Sequence, residues 1–249
     1  MTLALSSAAA PDLALPDLVG ACERRGLGAL ELVATDAHGL RPGLPPAEAQ
    51  RLAAAARERG VDVVAYRDAT GELARDASTA RFAAALGLAV VVPVGALALD
   101  EALLAAQHYA GAGATLLLAV DGRLETVDAA LRLVSVAPAG ALAVAWDAAP
   151  GPALVDARET LRRIGPALRH IRLLGGGPEA AGKEGAGIGP LMAALALQRY
   201  AGAVAIAPST PRFRIAWSHW LGRRAWGCGS AGEASLTPLS TPETHGAEA

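Results

Sequence analysis

A chain of 249 residues is long enough for one barrel-sized α/β domain, and 53% hydrophobic against 18% charged residues excludes a disordered protein. A net charge of −2 without a basic block, and aromatics at only 4%, argue against a nucleic-acid partner and against an anionic membrane surface. Cys22 and Cys228 make neither a disulfide framework nor a thiolate metal cluster, and no basic, apolar leader or ~18-residue apolar span is evident, so the pattern reads as cytoplasmic with no membrane partner.

An apolar strand over 2–7 opens the chain and ends at Ser6 and Ser7. After a loop, a helix starts at Pro16 and Asp17 and stops at Gly26, the expected punctuation for a helix start and end. A strand over 29–36 follows, then a helix from Pro45 to Gly60 with Ala49, Leu52, Ala53 and Ala56 on one stripe. The same unit recurs as strands over 61–68, 89–95, 115–121, 141–147, 170–175 and 203–209. Their partner helices cover 71–86, 100–110, 126–136, 155–164, 190–200 and 211–226. Residues 229–249 lose all periodicity in a Ser, Thr, Pro, Gly and Glu background, and read as a disordered tail on a domain over 1–228. Eight strand–helix units point to a single parallel (β/α)8 TIM barrel, whose chemistry lies at the C-terminal ends of the strands.

Strand side chains alternate between lumen and helices. In the last strand Ala203, Ala205, Ala207 and Ser209 are small while Val204 and Ile206 are bulky, so the small set should face the lumen. The same parity sends Glu31, Val33 and Thr35 inward, then Ala65 and Arg67, Leu117, Ala119 and Asp121, Ala143, Ala145 and Asp147, and His170 and Arg172. Charges there must be paired or solvated, because an isolated buried charge costs several kcal/mol. Two readings are open: an ion-pair network that fills space, or a polar pocket for a small-molecule substrate.

The order of segments resembles the sugar phosphate isomerase/epimerase family, the xylose isomerase-like barrels that also include the endonuclease IV type. The resemblance spans residues 2–210. Residues 18–33 (LVGACERRGLGALELV) match the family's first helix and second strand, with Glu31 as its Glu. Gly60 followed by Val-Asp-Val-Val, residues 141–147 followed by Ala-Ala-Pro, Arg169-His-Ile-Arg, the Gly-rich turn at 185–188 before Leu191, and Tyr200-Ala-Gly continue the match. The resemblance implies a divalent metal held by carboxylates and histidines, but most of those positions differ here. The strand 5 Glu falls on Ala119, the strand 6 His on Pro150, the strand 7 His and Asp on Arg172 and near Gly175, and the strand 8 Glu on Ala207. Asp147 alone is kept. Asp121 and Asp147 are too few for a tight site, so no cofactor is expected; a weak metal site would use these two with Glu31 and waters.

Arg172 offers a fixed cation where the family places its metal, with Asp147 as its expected ion-pair partner. Arg172 and Arg67 would bind an anionic or carbonyl-bearing substrate, and Asp121 or Asp147 would move a proton. Asp36 and His38 form a second candidate acid–base pair after strand 2, or else a turn. Gly175, Gly176 and Gly177, with Ser209 and Thr210 ahead of Pro211, offer an anion site at the last two loops. Lys183 and Glu184 read as solvated loop charges. These expectations define an isomerase, epimerase or lyase, with a non-catalytic ligand- or protein-binding barrel and a weakly metal-dependent enzyme as alternatives. Trp217 and Trp220 would be exposed in the last helix and leave room for a homodimer.

Overall fold

The structure is a computed structural model that describes residues 1–148, 157–175 and 188–208. Eight parallel strands close in sequence order into a barrel. They are β1 (Thr2–Ser6), β2 (Ala29–Val33), β3 (Asp62–Arg67), β4 (Ala89–Pro93), β5 (Leu116–Val120), β6 (Leu142–Ala148), β7 (Leu168–Gly175) and β8 (Ala203–Pro208). β8 closes on β1 with Thr2 opposite Ala203 and Leu5 opposite Ile206. Each expected strand is present, most a residue or more shorter than expected.

The helices are α1 (Leu15–Arg25), α2 (Pro46–Glu58), α3 (Glu72–Arg75), α4 (Ala77–Leu86), α5 (Leu99–Ala112), α6 (Leu124–Val136), α7 (Ala157–Ile164) and α8 (Ile188–Leu197). α1 has Pro in its first turn and ends at Gly26 with φ 64°, a left-handed cap that a side chain would disfavour. The single helix expected over 71–86 is two helices, because Asp76 adopts an extended conformation and starts a new helix. None of the helices among the described residues is long and apolar enough to cross a membrane. The expected helix over 211–226, with Trp217 and Trp220, and the tail over 229–249 lie outside the described residues.

The alternation read from the sequence builds two cores. Leu30, Leu32, Val90, Val92, Leu116, Leu118, Val144, Trp146 and Ile171 face the helices in the larger one. Ala65, Val91, Leu117, Ala119, Ala143 and Ala145 pack inside the barrel, and Ala4, Ala29 and Ala205 form a second small cluster. Interior layers of a barrel are usually dominated by bulky branched residues. Alanines in their place leave volume beneath the strand ends for polar side chains.

Candidate functional site

Glu31 is the centre of the lumen, with a fully buried side chain. The β2–β3 register shifts between Leu30 and Glu31, and β1 sets Ser6 opposite Glu31. Ser6 Oγ donates to Glu31 Oε1 at 2.8 Å. His170 Nε2 donates to Oε2 at 2.8 Å. Arg67 Nε donates to Oε2 at 3.4 Å. Arg172 Nε stands 3.1 Å from Oε1, an ion-pair distance, but its N–H direction misses the oxygen and no hydrogen bond forms.

Arg67 turns the end of its guanidinium to Asp147, with Nη1 to Oδ2 at 3.1 Å and Nη2 to Oδ1 at 2.7 Å. This two-pronged contact is the geometry in which arginine holds a carboxylate most firmly. The partner of Asp147 is therefore Arg67 and not Arg172 as expected. Asp147 and Arg172 share a register position on β6 and β7, but the strands carry the two side chains to different partners. Side-chain exposure rises from 0% at Glu31 through 14% at Arg172 to 20% at Asp147, so the network opens towards Arg172 and Asp147.

Burial alone would push the Glu31 carboxyl up. The charge of Arg67, the hydrogen bond and charge of His170 and the charge of Arg172 outweigh it and hold Glu31 well below the usual carboxylate range. Burial also disfavours the charge of Arg67, but Glu31 and Asp147 more than restore it. Arg172 differs: burial, with the like charge of Arg67, outweighs Glu31, Asp147 and Asp36 and lowers it from its ordinary value. It remains a cation, as arginines do, but an under-compensated one.

Asp36 is half-buried past the end of β2. Its Oδ2 accepts a hydrogen bond of 2.5 Å from Ser7, and its charge is felt by Arg172. His38 does not pair with it. His38 is buried with Nε2 donating to the Val33 carbonyl at 2.9 Å and its ring edge-on to Tyr66 in the helix-facing core. Burial lowers its pKa, so it is a neutral structural imidazole rather than a group on the active face. Asp121 is also elsewhere than expected. β5 ends at Val120, and the Asp121 side chain, 47% exposed, accepts from the Arg123 backbone at 3.1 Å, Arg123 Nε at 2.6 Å and Thr126 Oγ1 at 2.8 Å. It organises the start of α6, not the lumen. Gly175 ends β7 beside Pro208, and among the described residues nothing lies within 4 Å of a Cβ added there. Gly176, Gly177, Ser209, Thr210, Lys183, Glu184 and Pro150 lie outside the described residues.

Of the five charges expected in the lumen, Glu31, Arg67, Asp147 and Arg172 come together there and Asp121 does not. Ser6, Ser7 and His170 are not among the site residues that the sequence suggests. Inward parity and the Ser6–Glu31 register could have found the first and the last.

Among the described residues no group of three or more His, Cys, Asp or Glu is arranged to hold a metal ion. Both lumen carboxylates are already neutralised by guanidinium groups, and a dication among two arginines would meet repulsion.

No family model and no curated protein matches the chain. Solved structures do match it in fold. A xylose isomerase domain protein from Planctomyces limnophilus is 16% identical, with 88% of this chain and 94% of that chain covered at a TM-score of 0.59. The 3-keto-D-glucoside 4-epimerase YcjR from E. coli, in its apo form, is 15% identical, covering 89% and 99% at 0.62. The D-psicose 3-epimerase from Clostridium cellulolyticum H10, solved with D-tagatose, is 14% identical, covering 84% and 85% at 0.61. The fold is therefore a (β/α)8 TIM barrel, similar in its architecture to these solved structures.

Proposed function

We propose that the barrel is an isomerase or epimerase, or a lyase of the same chemistry. It would move a proton beside the carbonyl of a small, polar, sugar-like metabolite without a tightly bound metal. Arg172 is the observation that carries this reading. It is a lumen guanidinium, under-compensated by its neighbours, whose buried Nε has no hydrogen-bond partner among the described residues. Taking a proton from carbon next to a carbonyl moves negative charge onto the oxygen. A preorganised cation at that oxygen is the largest help a protein can give such a step. The names of the fold neighbours, two of them sugar epimerases, support the substrate class.

A second reading, a barrel that binds a ligand without turning it over, is favoured by one observation. Glu31 and Asp147 both spend carboxylate oxygens on arginine, which leaves them poorly placed to take a proton from a substrate.

Deuterium exchange separates the two. The protein is incubated in D2O with a panel of ketoses, aldoses and keto-sugars, and incorporation beside the carbonyl is followed by NMR. Incorporation is expected, is expected to persist after chelation, and should fall about 10²–10³-fold in Arg172→Ala. Loss on chelation would return the reaction to a metal. Binding of panel members without any exchange would make the barrel a binder.

A further inference from the structure

The carboxylates near the lumen sort by what already occupies them. Glu31 is sealed beneath Ser6, His170 and Arg67. Asp147 gives both oxygens to Arg67. Asp68, beyond β3, is buried and spends Oδ1 on Thr70 and Oδ2 on the Leu73 backbone. Asp121 belongs to the start of α6. Asp36 differs from all of these. It has no guanidinium contact and one hydrogen bond, from Ser7 to Oδ2, leaving Oδ1 without a partner among the described residues.

That one bond is well defined. Ser7 is fully buried in the short 3-10 turn that follows β1. Its Oγ accepts from the Val33 backbone N–H at 2.8 Å, so its single hydrogen is committed to Asp36. The Asp36 backbone N–H in turn bonds to the Val33 carbonyl at 3.0 Å, and Ala37 N–H to Pro11 at 2.7 Å. The loops after β1 and β2 are stitched together, and Asp36 is fixed by them at the C-terminal end of the barrel. The adjacent serine, Ser6, does the same for Glu31 one layer deeper.

We propose that Asp36 is the catalytic residue that moves the proton and that Ser7 is its positioning residue. This assignment rests on the isomerase/epimerase reading and replaces Asp147 as the base. Asp36 Oδ1 takes the hydrogen from the carbon beside the carbonyl. The C–H pair becomes the C=C bond of an enediolate, and the carbonyl π pair moves to the oxygen held by Arg172. The neighbouring hydroxyl proton passes to the enediolate oxygen, and the Asp36 carboxyl, its proton exchanged with solvent, protonates the former carbonyl carbon as the neighbouring C–O becomes the new carbonyl, so the cycle closes with no external reactant. Asp147 then serves as the anchor of Arg67.

The test follows the rate of D2O exchange against substrate concentration in the full chain. Asp36→Asn should lower exchange about 100-fold or more, within the span of general acid–base catalysis, while ligand binding is retained. Ser7→Ala removes the one hydrogen bond that fixes the Asp36 carboxylate, so kcat for exchange should fall about 10-fold or more with KM nearly unchanged. Ser7→Thr should restore it. A merely structural serine would alter thermal stability and leave kcat of the folded protein unchanged, which overturns its positioning role. Exchange at the wild-type rate in Asp36→Asn, with loss in Asp147→Asn, overturns the Asp36 assignment alone. A wild-type protein that exchanges nothing overturns both the assignment and the reading beneath it.

Discussion

Glu31 ties four other side chains together, and its own burial is complete. A charge so placed contributes through its partners: without it, Arg67 and Arg172 face each other in the lumen with Asp147 and Asp36 to answer them. Breaking a buried ion pair from one side typically costs about 3–5 kcal/mol, since the remaining charge stays desolvated. Glu31→Gln should therefore destabilise the protein by about that amount in urea unfolding, with an unchanged slope. The surface pairs offer the contrast. Arg57 and Asp62 meet at 2.9 Å, but both side chains are more exposed than buried, and Arg57→Ala should leave the urea midpoint nearly unmoved.

Individual elements show where local chemistry overrides periodicity. The segment 71–86 has the apolar spacing of one helix, yet Asp76 ends α3 and begins α4. Its Oδ1 accepts from the Ser78 backbone at 2.8 Å and its Oδ2 from Ser78 Oγ at 2.6 Å, a helix cap that competes with helix continuation. Asp76→Ala should cost about 1 kcal/mol, read as a shift in urea midpoint, and Asp76→Ser should recover most of it. Ahead of α3, Gly71 has φ 75°, and an added Cβ would sit 3.0 Å from the Ala96 Cβ and 3.2 Å from the Ala96 carbonyl. Gly71→Ala combines left-handed strain of about 1–2 kcal/mol with that contact, so it should destabilise more than the loss of the Asp76 cap. An Asp in a helical stripe reads as a polar-face residue from sequence; that it breaks the helix depends on the strands and loops packed around it.

At the scale of the whole barrel, strand order and the lumen face were legible because the signals are repeated: eight short apolar runs, and a last strand alternating small with bulky residues. Partner choice was not legible. Parity placed Asp147, Arg172, Arg67 and Glu31 inside, but which guanidinium meets which carboxylate depends on reach across the lumen and on the β2–β3 and β6–β7 register shifts. Asp121 failed for a different reason: parity has meaning only while the strand lasts, and β5 ends one residue earlier. The assembled barrel also sets a pH response that no single segment would have. His38 is held low by burial, against the pull of Val33 and Asp36, so the folded state prefers it neutral. Its stabilisation is present above the ordinary histidine value of about 6.5 and is lost as pH falls from there towards the folded value. Glu31 is held low by its cations despite burial, so its stabilisation is present above about 4.3 and is lost as pH falls from there through the folded value. Both act in the same direction, and urea midpoints measured from about pH 8 to pH 3 should fall in two successive windows. His38→Gln should flatten the upper window and Glu31→Gln the lower. Exposed pairs such as Arg59 with Glu23 are screened at about 1 M salt, where the Debye length is about 3 Å. The two windows should survive that salt, because their charges lie inside the protein; a response that vanished with salt would assign it to the surface instead.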